Sequence, residues 1–298
     1  MATTQQIDQM RERITDEIFF AFGIHSNHPL RKRLGKLFFR PTQRFSELVS
    51  LADEQTRTGG LPAGARSLMN SLNVSTLVIG SENIPVAGPV LVVSNHPGAY
   101  DSAALAMNIL RPDLRIIVSE TRFYHTLPHI GQNLIYVARG GDQRMLALRQ
   151  AILHLQRGGA ILQFGTGTIE PDPAYTSLAQ IPISQWSRSV EIMLRKAQET
   201  TLVLAGASGV LLKKYLGHPL TRLRRKPVDR RRIAEFLQVI AQLMHPERLD
   251  GETRVSFSNQ IKIADLLKSG DRNLMAGVIS RATELLKEHQ SIFYPSTL

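Results

Sequence analysis

Short apolar runs recur along this chain with helical patterns between them, and that alternation restricts the folds open to it more than any other feature. The runs are VLVVS at 90–94, RIIVS at 115–119, LIYV at 134–137, AILQF at 160–164, LVLAG at 202–206 and RVSFS at 254–258. Each has the length of a strand, and runs with little polar alternation suit strands buried on both faces. Between and after them lie helical patterns. One runs from Asp142, a suitable N-cap, to Gly158 and Gly159, which suit a C-terminal cap; the others are SVEIMLRKAQ, RRIAEFLQVIAQLM and Asn273 to Glu288. Together they predict an α/β fold: a mostly parallel central sheet covered by helices.

The first part of the chain reads differently. Residues 6–24 set Ile7, Met10, Ile14, Ile18 and Phe22 at helical spacing, one apolar stripe that needs a surface to pack on. The next segment, RKRLGKLFFRP, mixes Leu34, Leu37 and Phe38 with Arg31, Lys32, Arg33, Lys36 and Arg40, the composition of a basic interfacial helix, and Pro41 is expected to stop it. Six of the eleven phenylalanines lie at or before Phe45, which suits either membrane contact or a helical subdomain packed on the core. RTGGLPAGAR then reads as a loop and places the boundary of a helical N-terminal segment at about residue 70, so the expected division is 1–70 and 71–298.

Composition removes several chemistries. With no cysteine there is no disulfide, thiolate metal site or cysteine nucleophile. The start, MATTQQIDQMRERITDE, lacks the basic head and apolar core of a secretory signal, and the apolar run Ile18 to Ile24 is far shorter than the roughly 20 residues of a membrane-crossing helix. A cytoplasmic protein is expected, attached peripherally to the inner face of a membrane. A net charge of +11 favours anionic partners. Nine basic residues between 213 and 232 (Lys213, Lys214, Arg222, Arg224, Arg225, Lys226, Arg230, Arg231 and Arg232) face one acid, Asp229, and form either a solvated surface or an anchor for anionic lipid or the phosphates of coenzyme A. The cluster carries only Tyr215 as an aromatic and fits no base-reading module, so no nucleic-acid partner is expected.

The segment PVLVVSNHPGAYDSAALAM is a buried strand running into a helix. Pro97 biases His96 toward extended geometry, which sets the imidazole at the strand's carboxyl end, where open α/β sheets collect their ligands. Asp101 falls at the start of the following helix, and a turn through Gly98 can fold its carboxylate back onto the ring, fixing the tautomer and making the other nitrogen a better proton acceptor. FGTGTIE at 164–170 also follows a strand. Its glycines either present backbone N–H groups to a developing oxyanion or make a tight structural turn.

Asn95, His96 and Asp101 together resemble the first motif, N-H-x-x-x-x-D, of the glycerolipid acyltransferases, the family that includes the lysophosphatidic acid acyltransferases. ENIPVAGPVLVVSNHP is similar to that family's lead-in, and LIYVAR to its second motif, which ends at Arg139. FGTGTIE stands at the third motif, typically F-P-E-G-T-R, matching at Phe164, Gly167 and Thr168 but not at Gly165, Thr166 and Ile169; TLVLAGASG matches the fourth loosely. The resemblance spans about residues 74 to 262 and makes 71–298 the acyltransferase domain. It implies that His96 acts as general base, oriented by Asp101, and that an acceptor hydroxyl attacks an acyl thioester on coenzyme A or acyl carrier protein without a covalent acyl-enzyme. It implies acceptor binding by Arg139, Thr166, Gly167 and Thr168, with Asn95 and Gly165 as oxyanion or backbone support. The acceptor would be a glycerolipid, lysophospholipid or related amphiphile, with Glu170 or Arg122 standing in for the absent glutamate and arginine of the third motif. The alternative is a relative that has lost catalysis and binds lipid or acyl chains at the membrane surface.

Other chemistries fit less well. GASGV around Ser208 misses the second glycine of a serine-hydrolase elbow. His125 and His129 have helical metal-ligand spacing, but Pro128 lies between them and the H-E-x-x-H glutamate is lacking. FGTGT has no G-K-[ST] ending for nucleotide phosphates, so no metal and no cofactor beyond the acyl donor is expected.

Overall fold

The computed structural model describes residues 3–24, 31–98, 100–138, 141–245, 251–267 and 273–295. Its sheet has seven strands: β1 Val74–Ile79, β2 Val90–Ser94, β3 Arg115–Ser119, β4 Leu134–Val137, β5 Ala160–Phe164, β6 Thr201–Ser208 and β7 Gly251–Phe257, in spatial order β1-β7-β6-β2-β5-β3-β4. Five of the six pairings are parallel, and only β6 and β7 run antiparallel. The helices are α1 Thr4–Phe22, α2 Arg31–Ser71, α3 Asp101–Ala106, α4 Pro128–Gln132, α5 Gly141–Gln156, α6 Ser189–Lys196, α7 Lys213–Leu216, α8 Pro227–Met244, α9 Ile263–Leu267 and α10 Leu274–Phe293. The α/β architecture with helices at its start is the one the alternation predicts.

Burial explains why the central runs carry no polar alternation. Every residue of β2, β5 and β6 is buried. Along β2 the side chains divide by the two-residue period of a strand. Val90 and Val92 pack toward α2 and α3 with Leu61, Met69, Leu72 and Leu105, while Leu91 and Val93 pack toward α5, α6 and α10 with Ala151, Leu155, Met193 and Val278. The strand β1 was not among the six runs. It is an edge strand whose burial alternates, and Leu77 and Ile79 are exposed, so its signal is weaker than that of the buried strands.

The N-terminal helices differ from expectation in two places. Pro41 lies inside α2 instead of ending it. Its ring is buried, so packing offsets the backbone bond that proline cannot make. RTGGLPAGAR is likewise not a loop: helix runs on both sides of a kink at Gly60, whose φ of 68° and ψ of −174° are open essentially to glycine alone. A Cβ there would stand 2.6 Å from the carbonyl oxygen of Pro112. These glycines serve close packing, and Pro62 starts the second helical stretch where its missing N–H costs little. The apolar stripe of α1 is buried at Met10, Ile14 and Ile18, whereas Phe20 of α1 and Leu37 and Phe39 of α2 are exposed. Among the described residues, no helix is long and apolar enough to cross a membrane.

Gly60→Ala is expected to destabilise the fold by about 1–3 kcal/mol, from strain at that φ/ψ and from the contact with Pro112. Urea unfolding monitored by circular dichroism measures this, and an unchanged midpoint would show that the kink is not strained.

Candidate active site

The register of the sheet sets Ser94 of β2 level with Phe164 of β5 and Ala205 of β6, so three buried strands release their chains at one edge. Asn95 and His96 follow β2, the central strand. The Asn95 side chain continues the sheet: its Nδ2 donates to the Ala207 carbonyl at 2.9 Å and its Oδ1 accepts from the Ala207 N–H at 2.8 Å. With its oxygen and one of its two amide N–H groups engaged, the Asn95 side chain supports the backbone of β6.

His96 and Asp101 meet as the turn predicts. Nδ1 of His96 lies 2.7 Å from Oδ2 of Asp101, which also accepts from the Gly98 N–H at 2.9 Å. A carboxylate only accepts, so Nδ1 carries a proton, and in the neutral ring Nε2 is the acceptor. Asp101 is fully buried, whereas the His96 side chain keeps 26% of its exposure, so a substrate can reach the ring. The Phe164 ring stacks on the imidazole at 4.3 Å between centroids and fixes its plane. Gly98 makes the turn with a φ of 111°, which strains any other residue, and a Cβ would also displace the Glu235 carboxylate, whose Oε1 lies 1.7 Å from that position.

Glu235, carried on α8, is a member of the site that the sequence reading did not single out; its signal was an acid set in the apolar face of RRIAEFLQVIAQLM. Burial pushes the His96 ring down, but the charge and hydrogen bond of Asp101, then Glu235 and Glu170, outweigh it and raise the ring to about 9. Glu170 is itself buried. Its N–H donates to the His96 carbonyl at 2.6 Å and its Oε1 accepts from the Thr166 hydroxyl at 2.7 Å. Burial raises its carboxyl to about 7, against the pull of Thr166 and His96.

The other predicted residues fall in distinct settings. The Gly165 N–H donates to the Ser94 carbonyl and its own carbonyl accepts from Ser187, while the Trp186 ring covers the face where a Cβ would sit. Its backbone is therefore not available to an oxyanion. Thr168 donates its N–H to the Thr166 hydroxyl at 3.2 Å, and Gly167 takes a φ of 66° in the same turn, so this loop folds on itself beside Glu170. Arg122 is exposed, and Arg139 lies outside the described residues.

The remaining candidates separate from the site. Ser208 bonds Nε2 of His289 at 2.7 Å, but both are buried and the other ring nitrogen meets the Ser256 hydroxyl, not a carboxylate. His125 pairs with Glu120 and His129 with Asp53, so the two histidines do not converge. Among the described residues no group of three or more metal-ligating side chains is present.

Two cavities flank the histidine and aspartate. The larger, about 320 Å³, runs between the sheet and the N-terminal helices, with walls that include Ile14, Ile18, Phe45, Leu68, Phe236 and Ile240. Tyr100, Ser102 and Glu235 line the same space, so it adjoins the turn that holds Asp101. The smaller, about 190 Å³, lies beyond Pro97 and has a mixed lining, in which Glu170 and Arg231 stand among Pro97, Pro171, Leu211 and Leu216.

No protein-family model matches the chain, and no curated protein matches it. Among solved structures, the crystal structure of the 1-acyl-sn-glycerophosphate (LPA) acyltransferase PlsC from Thermotoga maritima is similar at 14% identity and a TM-score of 0.46, over 95% of this chain and 99% of that chain. So loose a likeness carries no weight for fold or function.

The His96 ring is expected to titrate near 9 by NMR and to move down in Asp101→Asn, because the raising charge is removed while burial remains. Since the folded value lies above the ordinary 6.5, the pair's contribution to stability is complete below about 6.5 and fades as pH rises through about 9. A ring that still titrates near 9 in Asp101→Asn would exclude the carboxylate as the cause.

Proposed function

We propose that this protein transfers a fatty acyl group from an acyl thioester, carried on coenzyme A or acyl carrier protein, to a hydroxyl of a glycerolipid, lysophospholipid or related amphiphile. The observation that carries the reading is a reachable imidazole, held by a buried carboxylate at 2.7 Å, together with an apolar cavity lined by Tyr100 and Ser102 on either side of that carboxylate's residue. Histidine backed by aspartate activates hydroxyls, and an apolar cavity of this size takes an alkyl chain, each buried CH₂ contributing about 0.8 kcal/mol.

In this mechanism Asp101 holds Nδ1–H, and Nε2 of His96 takes the proton of the acceptor hydroxyl as its oxygen attacks the thioester carbonyl. The tetrahedral adduct collapses, the carbon–sulfur bond breaks, and the imidazolium returns the proton to the thiolate. Ester and free thiol leave, with no acyl-enzyme. Phe164 and the Asp101 bond keep the ring in one orientation throughout, which is the positioning that makes such a transfer effective. Because Asp101, Glu235 and Glu170 hold the ring protonated up to about 9, the base form, and with it kcat/KM, rises with pH through that range.

The surface supports work at a lipid interface. Exposed Phe20, Leu37 and Phe39 of the first two helices stand among basic residues, and Arg224 lies against Gly23 at the end of α1, bringing the 222–226 segment and exposed Leu223 next to them. Lys213, Lys214, Arg222, Arg225, Lys226 and Arg230 are exposed, so they are free to meet anionic lipid at about 1 kcal/mol each.

His96→Ala is expected to lower acyl transfer to a panel of lysolipids by about 10²–10⁴-fold with an unchanged circular dichroism spectrum; near-normal turnover in that variant would rule out the mechanism. In flotation assays the protein should rise with anionic vesicles at low salt and much less at high salt or with neutral vesicles. Salt-independent flotation would instead point to the apolar residues alone.

A further inference from the structure

The smaller cavity has a chemistry that the proposed reaction does not by itself explain. Its walls include Pro97, Glu170, Asp172, Tyr175, Thr176 and Arg231. Asp172 is already satisfied by the backbone N–H groups of Ala174, Gly209, Val210 and Leu211, and serves the loop after β6. Glu170 is different. One carboxylate oxygen accepts from Thr166, while the other, Oε2, is buried and has no hydrogen-bond partner among the described residues. Buried polar atoms nearly always find a partner, so an unpartnered carboxylate oxygen on a residue that lines a cavity calls for a donor from outside the chain.

Arg231 does not turn this cavity into an anion site. Its guanidinium donates to the Ile169 carbonyl at 3.3 Å, and the charges of Glu170 and Glu235 act on it from both sides. It therefore offsets two internal carboxylates. Of the nine basic residues between 213 and 232, only Arg231 lines the cavity. A phosphomonoester placed there would face Glu170 and Asp172 with one guanidinium that is already engaged, and like charges brought together without solvent are unfavourable.

We propose that this cavity receives the acceptor's head group, that Glu170 binds it through Oε2, and that the head group is a hydrogen-bond donor, a hydroxyl or an ammonium, and not a phosphomonoester. The proposal rests on the acyl-transfer reading, since it takes the cavity that Glu170 lines for the acceptor's head group and leaves the larger one to the acyl chain. The backbone of Glu170 is tied to the His96 carbonyl, so a group held by its carboxylate lies next to the residues that flank the imidazole. Burial holds the Glu170 carboxyl at about 7, with Thr166, His96, Asp101 and Arg231 around it and Glu235 opposite on α8. A donor favours the carboxylate form, so affinity for it rises with pH through about 7; a phosphate favours the acid form and gives the opposite slope.

The test uses the full chain with His96→Ala to prevent turnover, and measures binding of three amphiphiles with one acyl chain and different heads: monoacylglycerol, an acylated amino alcohol and 1-acylglycerol 3-phosphate. The expected result is binding of a hydroxyl or ammonium head about tenfold or more tighter than the phosphate, increasing with pH, with both the preference and the pH dependence lost in Glu170→Gln. Glutamine keeps an acceptor for Thr166, and an unchanged melting temperature confirms that the fold is intact. The comparison of monoacylglycerol with the amine separates the two donor chemistries. Tighter binding of the phosphate, a tenfold loss of it in Arg231→Gln, or indifference to Glu170→Gln would overturn the proposal. Acyl transfer by the unmodified protein is measured in parallel. If it fails for every acceptor while the binding preference holds, the catalytic reading falls and the head-group site stands.

Discussion

A carboxylate taken wholly out of water organises the site. Asp101 is fully buried at the start of α3, and one of its oxygens accepts from both the Gly98 N–H and the His96 ring. An unpaired buried charge is strongly destabilising, so the chain must deliver donors to that oxygen. Glycine is favoured at position 98, because the backbone there takes a positive φ and the Glu235 carboxylate occupies the space of a side chain. The imidazole is in turn protonated on the side facing Asp101, which leaves its other nitrogen as the one that gains or loses a proton. Turn geometry, glycine identity and histidine tautomer all follow from one desolvated charge.

The sheet then decides what surrounds that pair. Because β2 is central and its neighbours β5 and β6 are parallel to it, the segments leaving their carboxyl ends gather around His96. Asn95 extends the sheet by one step onto Ala207, and Phe164 closes over the ring from β5. On one side, α1, α2 and α8 enclose an apolar space; the smaller cavity adds the charged side chains of Glu170 and Arg231 to a mixed lining. Under the proposed reading, a mostly apolar cavity and a second one that carries charged side chains suit the two unlike ends of an amphiphile.

Much of this was legible in the chain because the signals are local. Six apolar runs fall on six strands, since a strand buried on both faces needs an uninterrupted apolar run, whereas the edge strand β1 is half-exposed and does not. The His96 and Asp101 pairing is contained in one turn of five residues, so it could be read locally, with the strand before it and the resemblance of the neighbouring motifs in support. Pro41 and the glycines at 59, 60 and 64 misled for the opposite reason. Proline and glycine report what the backbone allows, but whether a kink or a close contact uses that freedom is settled by what packs against it, here Pro112 for Gly60 and Thr56 for Gly64.

The sequence by itself determined the α/β class, the order of the central elements and the histidine with its carboxylate, because each depends on periodicity or on neighbours within a few residues. Tertiary structure decided the electrostatics. Glu235 and Arg231 arrive on a helix far along the chain, Glu170 is buried in the loop after β5, and the Asn95 side chain and the Gly165 backbone bond to neighbouring segments. A pattern of residues carries their chemical identity but not the solvent they lose or the charges they meet, and those two quantities set the proton affinity of His96 and the polarity of the cavities beside it.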